Sequence, residues 1–276
     1  MPAPPPTSLL SLPLLLATFS TLLLAATLRL LAILPRGPFK PPPLRRPPPH
    51  THVLIVLGSG GHTHEMLDLL RDLDTRKYTY RTYVISSGDA FSARRAAEFE
   101  RALEGKERVR RKAAGVRDKN SRGDVGTQTT QGDGDGSTNE KDIKDTGPPN
   151  YIIHTLPRAR RIHQSLLTTP LTALYALLST LRLLLSRTTP PPDLIITNGP
   201  ATGVIVVFAA LILRFFNLRS VDAQGRCKTI YVESFARVTK LSLSGKCLVK
   251  VVDRFLVQWK ELEGVGGRGE FCGVLV

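Results

Sequence analysis

The run Gly58-Ser59-Gly60-Gly61-His62, with Glu65 three residues beyond the histidine, carries the densest chemistry in this 276-residue sequence. It follows a short apolar stretch, Val53 to Leu57, and precedes Met66, Leu69, Leu70 and Leu73 at helical spacing. Glycines there let the backbone turn tightly and approach a ligand, and the N-terminus of the following helix offers unpaired N–H groups. That combination suits a phosphate or a developing negative charge. His62 and Glu65 share one face of the first helical turn, whereas His64 points almost oppositely. The histidine is a candidate ligand contact or base, and equally a capping or packing residue. Two familiar loops fail on residues: Thr63 stands where a dinucleotide fingerprint places its third glycine, and the Lys-Ser/Thr pair of an ATP-binding P-loop is absent. The order His-Glu-x-x-His of a zinc protease is absent as well.

Three further clusters follow predicted strands. Asn198-Gly199-Pro200 comes after Leu194 to Thr197, where it is either a ligand loop or an ordinary turn. Glu233 and Ser234 end the run Tyr231-Val232-Glu233-Ser234. Glu233 is there as a base or sugar-hydroxyl acceptor, or as a surface carboxylate paired with Arg237. Pro157-Arg158-Ala159-Arg160-Arg161 follows Ile152 to Thr155, and its cations fit a pyrophosphate, anionic headgroups or plain solvent.

The elements that must position these groups alternate. Short β-branched runs at Val53 to Leu57, Thr82 to Ser86, Ile152 to Thr155, Leu194 to Thr197, Thr229 to Val232 and Phe255 to Gln258 are separated by helical patterns. This predicts an α/β fold: a Rossmann-like parallel sheet covered by helices, occupying residues 52–276. Residues 105–149, rich in Gly, Asp, Lys, Arg, Ser and Thr, interrupt that rhythm and predict a disordered insertion.

Ahead of the domain, Ser8 to Leu34 is apolar apart from Arg29, exceeds the roughly 20 residues needed to cross a bilayer, and predicts a transmembrane anchor over residues 1–34. Arg36, Lys40, Arg45 and Arg46 follow it, which places the domain in the cytosol by the positive-inside rule. The Pro-rich basic linker of residues 35–51 predicts a stiff spacer holding the domain off the membrane. The apolar stretches Leu171 to Leu185 and Val204 to Phe216 are too short to span and predict core or membrane-facing helices. Net charge is +15, from 38 Lys and Arg against 23 Asp and Glu, but aromatics make up only 6% of the chain. That favours a lipid or phosphate surface over nucleic acid. Cys227, Cys247 and Cys272 form neither a disulfide framework nor a four-cysteine zinc site.

Taken together, these motifs resemble the membrane-anchoring subunit of the two-component UDP-N-acetylglucosamine transferase of dolichol-linked oligosaccharide synthesis. The resemblance rests on Val56 to Thr63 with Glu65, Ile85-Ser86-Ser87 with Asp89, Pro157 to Arg160 with Gln164-Ser165, Asp193 to Pro200, Tyr231 to Val238, and Phe255 to Trp259. That family is similar to the N-terminal half of MurG-type GT-B glycosyltransferases. The resemblance implies a chain that binds the lipid-linked GlcNAc acceptor at the endoplasmic reticulum membrane, faces the cytosol, and recruits a separate catalytic subunit carrying the UDP-GlcNAc site. The chain would then be an obligate part of an enzyme and inactive alone. The implied acceptor or diphosphate contacts are Gly58, Ser59, Gly60, Gly61, Glu65, Arg158, Arg160, Asn198, Gly199, Pro200 and Ser234. His62 or Glu233 would assist the attacking hydroxyl, with no cofactor and no protein-bound metal. Ala201 replaces the glycine usual after Asn-Gly-Pro, and the glycine-rich segment Glu263 to Gly273 is looser than the family pattern. A non-catalytic membrane scaffold with a degenerate Rossmann-like domain is the alternative. A dinucleotide oxidoreductase is disfavoured by Thr63 and by the lack of an acidic ribose ligand after the second strand.

Overall fold

The computed structural model describes residues 8–35, 51–121, 150–160, 164–165, 167–199 and 201–276. Seven strands form one all-parallel sheet: β1 His52–Val56, β2 Tyr80–Ser86, β3 Tyr151–Leu156, β4 Leu194–Thr197, β5 Lys228–Val232, β6 Arg254–Val257 and β7 Gly269–Phe271. Their order across the sheet is β3-β2-β1-β4-β5-β6-β7. The helices are α1 Ser8–Ile33, α2 Gly61–Leu69, α3 Ala90–Ser121, α4 Thr169–Leu185, α5 Ala201–Phe215 and α6 Leu243–Leu248. Six of the strands fall where the apolar runs place them. β7 is the addition: residues 263–273, expected to be loose, fold into short turns and a strand beside β6, with Arg254 Nη2 and Glu270 Oε2 2.5 Å apart.

The continuous apolar strands are explained by burial on both sides. Along β1, Leu54 and Val56 pack with Val206, Ala209, Ala210 and Leu213 of α5 and Leu184 of α4. Val53 and Ile55 alternate to the other face, against Met66 of α2 and Ala96 of α3. A period of two on a sheet covered on both faces gives this pattern. Across the second face, Arg81 on β2 pairs bidentately with Glu100 on α3, at 2.6 and 2.9 Å, and Tyr83 donates to the same carboxylate at 2.8 Å.

One sequence expectation changes: residues 105–121 continue α3, so the expected disordered insertion does not begin at Gly105. Arg108 pairs with Glu104 one turn earlier, and such pairs support an exposed helix. Residues 122–149 lie outside the described residues. The anchor helix also touches the domain. Arg29, the one charge of α1, donates to the terminal carbonyls of α5, Phe215 O at 2.9 Å and Arg214 O at 2.6 Å, and meets Asp222 Oδ2 at 2.9 Å. Arg214 returns a bond to Ile33 O at 2.9 Å. A guanidinium that is costly to leave in lipid finds the negative end of a helix dipole and a carboxylate here. The expected linker, apart from Pro35 and Thr51, lies outside the described residues.

Candidate functional site

In the strand order, β1 is flanked by β2 on one side and β4 on the other, so the order in which strands are added reverses between β1 and β4 while all of them stay parallel. Ligands of open α/β sheets bind beyond the carboxyl ends of the strands at that switch point. Here two glycine loops meet there. A Cβ on Gly58 would sit 2.6 Å from His62 Cβ and 3.3 Å from Gly199 Cα, so both loops require glycine to approach each other. Gly60 has a different need. Its φ of 64° and ψ of -124° form a left-handed entry to α2 that side chains disfavour. Gly61 has neither reason, since its φ is ordinary and a Cβ would meet nothing within 4 Å. The space it leaves open lies over the N-terminus of α2, which no side chain caps.

The loop is braced from below. Thr63, fully buried, donates its hydroxyl to Gly58 O and lies 2.6 Å from Ser92 Oγ. Ser92 in turn donates to Asp89 Oδ2 at 2.6 Å, and its N–H to Asp89 Oδ1 at 3.1 Å. The residue that breaks the dinucleotide fingerprint therefore fixes the loop. Asp89 three residues before Ser92 is a helix N-cap signal legible in sequence. The tie to Thr63, from another helix, is not.

Above the loop, Glu65 gathers three strand ends. Its Oε1 accepts from Ser234 Oγ at 3.0 Å and its Oε2 from Asn198 Nδ2 at 3.4 Å, while Oε2 lies 3.7 Å from His62 Nδ1. Asn198 Nδ2 also donates to His62 O at 2.8 Å. Burial alone would raise the Glu65 carboxyl, but the neighbouring His62 imidazole and the donors Ser234 and Asn198 outweigh it and hold it below its ordinary value. Glu65 is thus ionised at neutral pH beside a histidine whose side chain is one-third exposed. Asn198 Oδ1 is buried without a hydrogen-bond partner.

Not every expected residue joins this cluster. The Glu233 carboxylate, 1% exposed, accepts from Ser242 N at 3.2 Å and Ser242 Oγ at 3.1 Å at the start of α6. It anchors the loop that carries Ser234 instead of facing His62 or pairing with Arg237. Arg158 and Arg160 lie past the carboxyl end of β3. Arg158 Nε donates to Ser87 O at 2.9 Å, and Arg160 is exposed, near Gln164 O at 3.4 Å. They share the sheet's carboxyl edge with the glycine loop but make no contact with it among the described residues. Ser59 is exposed on the loop, and Pro200 lies outside the described residues. Among the described residues no group of three or more His, Cys, Asp or Glu side chains is arranged to hold a metal ion.

Comparison with known proteins places this geometry in context. Residues 53–275 match the family described as oligosaccharide biosynthesis protein Alg14 like. Among similar proteins, the UDP-N-acetylglucosamine transferase subunit alg14 of Schizosaccharomyces pombe is 34% identical over 84% of this chain and 86% of its own length. The subunit of the same name from Aspergillus fumigatus is 38% identical over 76% of this chain and 100% of its own length. The subunit ALG14 of Mus musculus is 31% identical over 81% of this chain and 82% of its own.

Proposed function

The chain belongs to the Alg14 family, and from that premise we propose that it is the membrane-anchored, acceptor-binding subunit of a UDP-N-acetylglucosamine transferase. In this reading it adds the second GlcNAc to dolichyl-diphosphate-GlcNAc, on the cytosolic face of the endoplasmic reticulum, together with a separate chain that holds UDP-GlcNAc and is recruited to the membrane by this one. The relatives are by name subunits of a UDP-N-acetylglucosamine transferase, and α1 contains 22 residues, Leu12–Ile33, apolar enough to cross a membrane.

The single observation that carries the acceptor role is the open space over Gly61 at the start of α2, beside His62 and the Glu65 carboxylate. Free N–H groups at Gly61 and His62 and the positive end of the α2 dipole receive the acceptor diphosphate. Ser59 on the exposed loop adds a hydroxyl donor, and Arg158 and Arg160 supply cationic charge along the same edge. Gly58, Gly60 and Gly199 shape the backbone, with Pro200 following. Asn198 and Ser234 hold Glu65, and Glu65 orients the imidazole of His62, which takes the proton from the attacking sugar hydroxyl as its oxygen bonds to C1 of the GlcNAc held by the partner and the bond from C1 to the diphosphate breaks, releasing UDP. Glu233 acts at one remove, by fixing the Ser234 loop through Ser242.

Transferase activity measured with this chain alone, the candidate partner alone and the two together tests the reading. Activity only in the mixture supports it. Full activity of the partner alone, in detergent with soluble acceptor, would leave this chain as a scaffold.

A further inference from the structure

The run Phe255 to Trp259 is one of the motifs that carry the family resemblance, and it lies one strand beyond the residues that hold Glu65. It covers most of β6 and the turn after it. Three of its polar groups reach sideways to the end of β5. Leu256 O accepts from Glu233 N at 2.9 Å, Gln258 Nε2 donates to Glu233 O at 3.0 Å, and Trp259 Nε1 donates to Phe235 O at 2.7 Å. The Trp259 and Phe235 rings also lie together, with centroids 4.9 Å apart. The first bond continues the sheet ladder, which any residue supplies. The other two need these side chains.

Gln258 is 2% exposed, and both ends of its amide are paired, since Oε1 accepts from Leu275 N at 3.3 Å. That bond fixes which way the amide points, so its NH2 end faces Glu233 O. An apolar side chain of similar length would leave a buried carbonyl without its donor. The two side-chain bonds bracket a single residue, Ser234. Its Oγ accepts from Ala236 N at 3.3 Å, which leaves the one hydroxyl proton for Glu65 Oε1 at 3.0 Å. Glu65 Oε2 in turn lies 3.7 Å from His62 Nδ1. A contiguous path therefore runs from the turn after β6 to the histidine of the glycine loop.

We propose that Gln258 and Trp259 are positioning residues of the transfer reaction, which set the Ser234 hydroxyl on Glu65 by clamping the backbone on either side of it. Neither touches substrate, and both act through Ser234. The assignment rests on the reading of Glu65 and His62 as acceptor-site groups.

A double-mutant cycle in the full two-chain complex tests it. Transfer to a lipid-linked GlcNAc acceptor is measured at saturating substrates for Gln258→Met, Trp259→Phe and Ser234→Ala, and for each of the first two combined with Ser234→Ala. Trp259→Phe keeps a ring against Phe235 and removes only the N–H donor. Alone, Gln258→Met should lower kcat about 10-fold and Trp259→Phe about 5-fold, with the KM for UDP-GlcNAc and co-purification of the partner unchanged. In the Ser234→Ala background each further loss should stay within about 2-fold, because the hydroxyl that both residues position is gone. A merely structural role makes the losses multiply. Multiplying losses would overturn this inference alone, as would wild-type rates for Gln258→Met and Trp259→Phe beside an impaired Ser234→Ala. A wild-type rate for Ser234→Ala would instead overturn the acceptor-site reading beneath it. If the Gln258→Met complex does not assemble, the Trp259→Phe cycle decides by the same criterion.

Discussion

Glu65, on the first turn of α2, accepts a hydrogen bond from Ser234 Oγ at 3.0 Å across 169 residues of sequence. The contact joins the end of β5 to the glycine loop after β1, and with Asn198 it makes one polar cluster from three strand ends. Ser234→Ala should remove a donor from Glu65 while leaving the fold intact. Misplacing a positioned group by an ångström costs on the order of 100-fold in rate. Transfer by the two-chain complex should therefore fall by up to about that factor in Glu65→Gln and by about 10-fold in Ser234→Ala. Steady-state rates at saturating acceptor check this.

Gly60 and Gly61 should separate folding from ligand access. At Gly60 the positive φ makes any side chain strained, so Gly60→Ala should cost about 1–2 kcal/mol and lower the melting temperature. Gly61→Ala meets no protein atom and has no such strain, so its melting temperature should match wild type. Its methyl group enters the space assigned to the diphosphate, so the acceptor KM should rise. Thermal unfolding beside acceptor titration distinguishes the two.

The buried pair Arg81–Glu100 makes a stability prediction unrelated to catalysis. Both side chains are almost wholly inaccessible, at 0% and 1% exposure. Glu100→Ala leaves a guanidinium without its bidentate partner between β2 and α3, and should destabilise the domain by about 3–5 kcal/mol. Denaturant unfolding measures it.

His52 gives the pH dependence. It is buried, with Nε2 2.8 Å from Thr82 Oγ1 and Nδ1 3.1 Å from Pro190 O, and burial lowers its pKa from 6.5 to about 4. The native state therefore binds fewer protons than the unfolded chain between these values. Its contribution to stability is complete above pH 6.5 and is lost as the pH falls towards 4. Between pH 7 and pH 5 the loss should be on the order of 2 kcal/mol. The melting temperature of His52→Gln should decline less over the same interval.

The fold was legible because the strands carry their own signal: β1, β4 and β5 are short, apolar and bounded by turn formers. The helical continuation of residues 105–121 was hidden by a composition that reads as disordered, although ion pairs such as Arg108–Glu104 sustain it. The strand β7, three residues with a single large apolar side chain, had no periodicity to find. In the site, the glycine loop, His62 and Glu65 stood together in sequence, and their loop's brace through Ser92 did not. Glu233 illustrates the limit: a carboxylate at a strand end looks available, and only the fold shows Ser242 engaging it. In the sequence Arg29 is only the one charge of an apolar run; its partners, the carbonyls at the end of α5, lie some 185 residues away.

In the proposed function the crevice beyond β1 and β4 receives the acceptor of a shared enzyme, with His62 at the reacting hydroxyl. The most direct measurement is the rate of GlcNAc transfer to a lipid-linked GlcNAc acceptor by the purified complex of the partner with His62→Ala. General-base assistance is worth about 100-fold or more, so the rate should fall at least that far while the partner still co-purifies with this chain. A complex of His62→Ala that forms normally and transfers sugar at the wild-type rate would contradict the account.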